Sequence, residues 1–293
     1  MVGCAEPRSA DAPPLSTNPA PNLLTHVVQF FDEFAPQYDD WAHGLHRKAA
    51  ERLVKLAGPV PGEHALDVGS GTGLVTRGLS GAVGRRGTVV GVDIAPRMLE
   101  LARKSPLANV RYVYMPAERL VFRDASFDLL TMGLALAYLV DPFAALADAH
   151  RVLKPGGRIA VSCQRRGLST EAQSEFFEIL ERLRADHPFM RLPRPAEDRA
   201  QFGEPAVLSQ LLDEMGFGDV QLATMVTGGR PATASEWIDL MKGAGPLPHS
   251  LLATLGPVLR RRLEAELDQV MGRLDEDAFR YHIAVTFAVG RRD

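Results

Sequence analysis

Apolar positions along the chain fall into two rhythms. Short continuous apolar runs at 65–68, 88–92, 110–114 and 127–132 read as strands buried on both faces, as in a parallel sheet. Further runs at 158–163, 220–226 and 283–289 add three more. Between them the apolar spacing turns helical at about 74–83, 95–104 and 205–215, the last ended by Gly216. Another helix starts at Asp141-Pro142, with proline at its first position, and runs to about Leu153. Upstream, Val27, Phe30, Phe31 and Phe34, then Ala49, Leu53 and Leu56, give a helical region over 23–56. Strands alternating with helices predict an α/β fold.

Two stretches interrupt the alternation. Residues 170–184 place Phe176, Phe177, Leu180 and Leu183 on one helical face, followed by a loop with Pro188, Pro193 and Pro195. Residues 235–241 and then 251–274 are leucine-rich at helical spacing. The longer of these serves either as a coiled-coil seam of a homodimer or as packing for a cap; packing is the simpler reading. Residues 1–21 hold Pro7, Pro13, Pro14, Pro19 and Pro21 among small polar residues and are expected to be a disordered tail without a secretory h-region.

Composition removes several partners. A net charge of −3 does not supply the basic field that nucleic acid requires. No run of about 18 apolar residues exists to form an integral membrane segment. Cys4 and Cys163 lie far apart in sequence, which fits a reducing cytoplasm, and the histidines show no metal-ligand spacing.

The chemistry concentrates in Ala65-Leu66-Asp67-Val68-Gly69-Ser70-Gly71-Thr72-Gly73. The glycines end the first strand in a tight turn that a ligand can approach closely. Thr72 is placed to cap a helix starting near Leu74. A dinucleotide fingerprint would need glycine where Leu74 stands, and a phosphate loop would need a Lys before Ser or Thr. The second strand ends at Asp93, an acid positioned to accept both hydroxyls of a ribose. The expected ligand is a nucleoside without a pyrophosphate.

With these residues the chain resembles the class I S-adenosylmethionine-dependent methyltransferases. The resemblance rests on 66–73, on Gly91-Val92-Asp93, on Phe127-Asp128-Leu129-Leu130 and on Arg151-Val152-Leu153-Lys154-Pro155-Gly156-Gly157, in the family's order. It covers about 30–163 well and the remainder loosely. It implies a Rossmann-like, doubly wound seven-stranded sheet of order 3-2-1-4-5-7-6, its last strand antiparallel. Cap insertions follow at about 166–203 and 229–278. The implied cofactor is S-adenosyl-L-methionine, leaving as S-adenosyl-L-homocysteine. Its implied contacts are Asp67, Gly69, Ser70, Gly71 and Thr72 in the loop, then Asp93, Ile94 and Met98. Ala117, Glu118, Met132 and Gly133 follow at the ends of later strands. The segment Ala35-Pro36-Gln37-Tyr38-Asp39 resembles the family's lid, where the Tyr38 hydroxyl meets the methionine carboxylate; the plain alternative is a tyrosine packed on the sheet. Met98 has the plain alternative of core filler. Pro116 stands where the family usually has an Asp that accepts from the adenine amino group.

Methyl transfer from a sulfonium is an in-line displacement that a protein assists by proximity, orientation and desolvation. A base is needed only where the acceptor must lose a proton, and His187, Tyr138, Tyr281 and His282 are the candidates. The apolar stretch 133–138 suggests a hydrophobic acceptor, and a looser resemblance to quinone-biosynthesis and natural-product methyltransferases, with the two inserts, implies a small molecule of that type methylated at oxygen or carbon. Two rivals share the motifs: a cofactor-binding enzyme that catalyses another reaction such as cyclisation, and a non-catalytic binding protein.

Overall fold

The computed structural model describes residues 21–165, 170–186 and 199–293. The proline-rich segment 1–20 and the loop carrying His187 lie outside them. The order is α1 (Pro21–Phe34), α2 (Trp41–Ala57), β1 (His64–Val68), α3 (Leu74–Val83), β2 (Thr88–Asp93), α4 (Pro96–Arg103) and β3 (Val110–Tyr114). Next come β4 (Phe127–Gly133), α5 (Pro142–Val152), β5 (Leu153–Gln164), α6 (Glu171–Asp186), α7 (Pro205–Glu214) and β6 (Phe217–Gly229). The helices α8 (Ala234–Gly243), α9 (Pro246–Thr254) and α10 (Pro257–Arg273) precede β7 (Tyr281–Arg292).

The sheet order is 3-2-1-4-5-7-6, as the resemblance implied. β1 pairs in parallel with β2 and β4, while β7 runs antiparallel to both β5 and β6. Strand alternation sorts the apolar residues onto two faces. Leu66, Val68, Leu130, Met132, Ile159 and Val161 meet α5 and α7 on one side. Ala65, Leu129, Ala160, Val285 and Phe287 meet α1, α2 and α3 on the other. A separate apolar cluster unites α6, α8, α9 and α10 into a cap.

Three boundaries differ from expectation, each for a local reason. The predicted turn at 154–157 lies within β5: Phe127 pairs with Leu153 and Leu129 with Arg158, so the intervening residues bulge out through Gly156 at φ 73°. The predicted helix over 251–274 is two helices. Pro257 lacks an N–H and bars helical backbone at Gly256, which sits at φ −64°, ψ 167°. Leu263, Leu267 and Val270 of α10 are buried inside the cap, which is the packing reading of this leucine-rich stretch. β7 begins at Tyr281, so Tyr281 and His282 belong to the strand and do not precede it.

Arg158 ties the far end of the sheet to α2. Its Nε donates to the Ala57 carbonyl at 2.6 Å, and two nitrogens grip Glu63 at 2.7 and 2.9 Å. This bidentate geometry is the strong form of an ion pair.

Phe287 is fully buried on β7. Phe287→Ala is expected to destabilise the fold by about 3–5 kcal/mol in urea unfolding. Val226→Thr, at a site 61% exposed on β6, is expected to shift stability by no more than about 0.5 kcal/mol. Equal losses from the two would contradict the placement of β7 inside the sheet.

Candidate active site

The glycine spacing has a backbone cause. Gly69, Gly71 and Gly73 adopt φ of 70°, 53° and 86°, a region that side chains disfavour. A Cβ on Gly69 would lie 2.5 Å from the Ala135 Cβ, and one on Gly73 would strike the Tyr112 hydroxyl. A Cβ on Gly71 would meet nothing, so this turn faces open space. The amides of Gly69 and Ser70 both donate to the Val92 carbonyl, at 2.9 and 3.0 Å, stitching the loop to the end of β2.

Asp93 completes the stitch. Its Oδ2 accepts from the Gly71 amide at 2.7 Å and its Oδ1 from the Ala95 amide at 2.8 Å. An ionised carboxylate has about four acceptor positions, more than these backbone donors fill. Burial raises the pKa of Asp93, and the backbone donors oppose that rise. Ser70 Oγ is buried nearby with no partner among the described residues. A carboxylate with spare acceptor capacity, an orphan hydroxyl and open space over Gly71 together fit the ribose of an adenosyl ligand.

Two expected roles change. Thr72 does not cap α3: the N-cap is Gly73, without a side-chain bond. The Thr72 hydroxyl instead donates to Asp39 Oδ1 at 2.6 Å, and Arg77 Nη1 donates to the Thr72 carbonyl at 2.6 Å. The segment before α2 is thereby latched to the glycine loop. Asp67 turns its carboxylate away from the loop and into the fold, accepting from Thr76 on α3 at 2.6 Å and Thr131 on β4 at 2.8 Å. Burial pushes its pKa up to about 6 against the pull of these two hydroxyls.

Beside the loop lies a pocket of about 330 Å³, counting its part open to solvent. It is lined by Tyr38, His46, Ala49, Ala50, Gly69, Ser70, Thr72, Leu74, Val75, Gly133, Leu134 and Ser162. Tyr38, Gly69, Ser70, Thr72 and Gly133 were expected from sequence, and Asp93 and Gly71 adjoin them through their hydrogen bond. Burial raises the pKa of the Tyr38 hydroxyl, which is therefore a neutral donor at pH 7. Met98 is fully buried against Ala35 and Ala95, with the Tyr38 ring alongside. Ile94 is half-buried next to Asp93, while Ala117 and Met132 are buried. Glu118 Oε1 accepts from the Val140 amide at 2.8 Å.

The candidate bases scatter. Tyr138 sits edge-on to Phe31 with ring centroids 5.0 Å apart, and burial raises its pKa. Tyr281 is buried beside His43, whereas His282 is exposed on β7 opposite Gly228; neither lines the pocket. His187 is outside the described residues. Sequence reasoning missed His46 and Ser162, while Leu134 belongs to the apolar stretch 133–138 expected to face the acceptor. The signal for His46 was present, because His46, Ala49, Ala50 and Leu53 recur at threes and fours on one helical face.

Leu134 is a backbone outlier at φ 55°. Its amide reaches both the Ser162 carbonyl at 3.0 Å and the Ser162 hydroxyl at 3.1 Å, which holds the strained turn at the end of β4.

Asp67 makes stability depend on pH. Its folded pKa of about 6 lies above the ordinary 3.8, so the native state keeps a proton that the unfolded chain has released. That contribution is full below about pH 4 and is lost as pH rises through about 6, a change of about 3 kcal/mol. Asp67→Asn removes the titration. Unfolding free energies of the two proteins, measured from pH 4 to 7, are expected to diverge by that amount, with wild type losing ground as pH rises. Parallel curves would refute the assignment.

Comparison with known proteins adds three findings. Residues 22–237 match the ubiE/COQ5 methyltransferase family. The ubiquinone/menaquinone biosynthesis C-methyltransferase UbiE of Vibrio vulnificus is 34% identical over 183 residues, covering 59% of this chain and 67% of that protein. The protein of the same name from Shewanella frigidimarina is 31% identical over 225 residues, covering 69% and 86%. Among solved structures, the YcgJ protein of Bacillus subtilis superposes with a TM-score of 0.54 at 19% identity, over 84% of this chain and 98% of that one. A phosphoethanolamine N-methyltransferase 2 of Haemonchus contortus, solved with S-adenosylhomocysteine, superposes at 0.53 and 20% identity, over 92% and 59%. The family match and the sheet order agree: this chain belongs to the ubiE/COQ5 methyltransferase family and is an S-adenosylmethionine-dependent methyltransferase.

Proposed function

We propose that the protein methylates a ring carbon of a hydrophobic, quinone-type small molecule in its reduced, hydroxylated form. The observation that carries this reading is the chemistry of the pocket wall. Ala49, Ala50, Leu74, Val75 and Leu134 supply apolar surface, and no Asp, Glu, Lys or Arg of the described residues lines it. Such apolar surface, beside the residues that face the cofactor, suits a neutral aromatic ring. The relatives named as quinone-biosynthesis C-methyltransferases support the same acceptor class and the same methylated atom.

Bound S-adenosylmethionine supplies a methyl carbon already activated by its positive sulfur. The chain's own residues bind and orient. Asp93 offers its remaining acceptor capacity to the ribose hydroxyls, the Gly71 turn leaves room for close approach, and the neutral Tyr38 hydroxyl is the donor for a carboxylate. Ala117 retains a backbone amide for the adenine, while Pro116 has no side-chain acceptor to offer it. Leu134 and the wall of α2 exclude water from the reacting carbon.

Two measurements test this. Reduced 2-prenyl-1,4-naphthohydroquinone, incubated anaerobically with the protein and S-adenosylmethionine, is expected to gain one CH₂ on a ring carbon by mass spectrometry and proton NMR. Methylation at oxygen, or a recovered hydroquinone, would overturn the acceptor assignment. Asp93→Ala is expected to weaken calorimetric binding of S-adenosylhomocysteine by about 1–3 kcal/mol, and unchanged affinity would remove Asp93 from the site.

A further inference from the structure

The entry into α2 is strained. Ala42, His43 and Gly44 take three successive left-handed conformations, at φ/ψ of 50°/49°, 57°/39° and 73°/33°. For a residue with a Cβ each such position costs about 1–2 kcal/mol. Two of the three carry one, and strain of this kind survives only where the surrounding structure imposes it.

The turn fixes His46. Its ring lies parallel to the Tyr38 ring at 3.8 Å and near-parallel to Trp41 at 5.4 Å. Nδ1 sits 2.6 Å from the Tyr38 carbonyl oxygen. A carbonyl only accepts, so Nδ1 carries the proton and donates it. In the neutral ring Nε2 then holds a lone pair, and no donor of the described residues pairs with it. Burial pushes the pKa of His46 down to about 4, which keeps the ring neutral at pH 7. Of the other polar groups of this wall, Thr72 donates to Asp39, Ser162 accepts from Leu134, and Ser70 Oγ has no partner among the described residues. His46 is thus a rigid acceptor in a pocket wall that carries no Asp, Glu, Lys or Arg of the described residues.

Resting on the reading above that the substrate is a hydroxylated ring, we propose that His46 Nε2 accepts a hydrogen bond from an acceptor hydroxyl and thereby selects free hydroxyls over their ethers. The bond orients the ring by one fixed point. It also polarises the O–H bond, which raises electron density at the adjacent ring carbon that takes the methyl group. An ether cannot donate and leaves Nε2 desolvated and unpaired, the situation in which pockets discriminate most sharply.

The probes are 2-prenyl-1,4-naphthohydroquinone and its dimethyl ether, titrated anaerobically into the full chain saturated with S-adenosylhomocysteine. Wild type is expected to bind the hydroquinone at least tenfold more tightly than the ether. His46→Phe keeps the ring stack without the lone pair. It is expected to bind S-adenosylhomocysteine within about threefold of wild type, lose the preference between probes, and lower kcat/KM for the hydroquinone about 100-fold. A retained preference would overturn the proposal, and so would a cofactor affinity reduced beyond tenfold, which would make His46 a cofactor contact. Should His46→Phe not fold, nitrogen NMR of the wild-type imidazole decides: the Nε2 resonance is expected to move with the hydroquinone and not with the ether, and no movement refutes the contact. A wild type that methylates an ether-tolerant or hydroxyl-free ring instead would remove the acceptor reading, and this proposal with it.

Discussion

The Asp67 carboxylate, almost wholly withdrawn from water, is the constraint on which the site depends. Desolvating it is unfavourable, and the two threonine hydroxyls that offset this come from α3 and β4. Satisfying one acid therefore fixes three elements relative to one another at the carboxyl end of the sheet. The glycine loop begins two residues later and is fixed by what precedes it. Its amides reach Val92, its middle amide reaches Asp93, and the acid at the end of β2 is held ready before any ligand arrives. Preorganisation of this kind lowers the ordering cost of binding.

The region before α2 connects this rigid floor to the helical cap. On one side Asp39 accepts from Thr72 and lies 3.7 Å from Arg77. On the other, the Trp41 indole donates to the Leu240 carbonyl of α8 at 3.1 Å, and Glu33 of α1 meets His249 of α9 at 2.8 Å. This segment is a strap with one end on the glycine loop and the other on the cap. Its rings, Phe31, Phe34, Tyr38 and Trp41, pack edge to face along that path, so an apolar wall and a polar latch come from one short segment.

Much of this was legible in the residues, for identifiable reasons. The strands were readable because continuous apolar runs ending in Asp67 and Asp93 have few other uses, and the loop because alternate glycines match alternate positive φ. Residues 154–157 misled because Gly156-Gly157 signals a turn equally well when the turn is a bulge inside a strand. The long leucine-rich helix was miscounted because its spacing carries through a break set by Pro257 alone. Thr72 was read as a cap from local spacing, but its partner, Asp39, lies on another element. For His46 the spacing gave the helical face it shares with Ala49, Ala50 and Leu53, but not the carbonyl that takes its Nδ1 proton, which lies eight residues away on the preceding turn. Local pattern specified the elements; contacts between distant segments specified the site.

The sheet order also governs how the molecule is made. β6 has one partner in the sheet, β7, which is the later of the two in the chain and lies between β6 and β5. During synthesis β6 leaves the ribosome before the strand that will join it to the rest exists, with α8, α9 and α10 still to come. Its backbone donors and acceptors wait unpaired over that interval, next to exposed Leu222 and Val226. The cap helices can collapse on one another in the meantime, since their contacts are closer in sequence. Assembly of the catalytic half is therefore completed from its far edge, by the last strand, and the nascent chain is most prone to self-association just before that strand arrives.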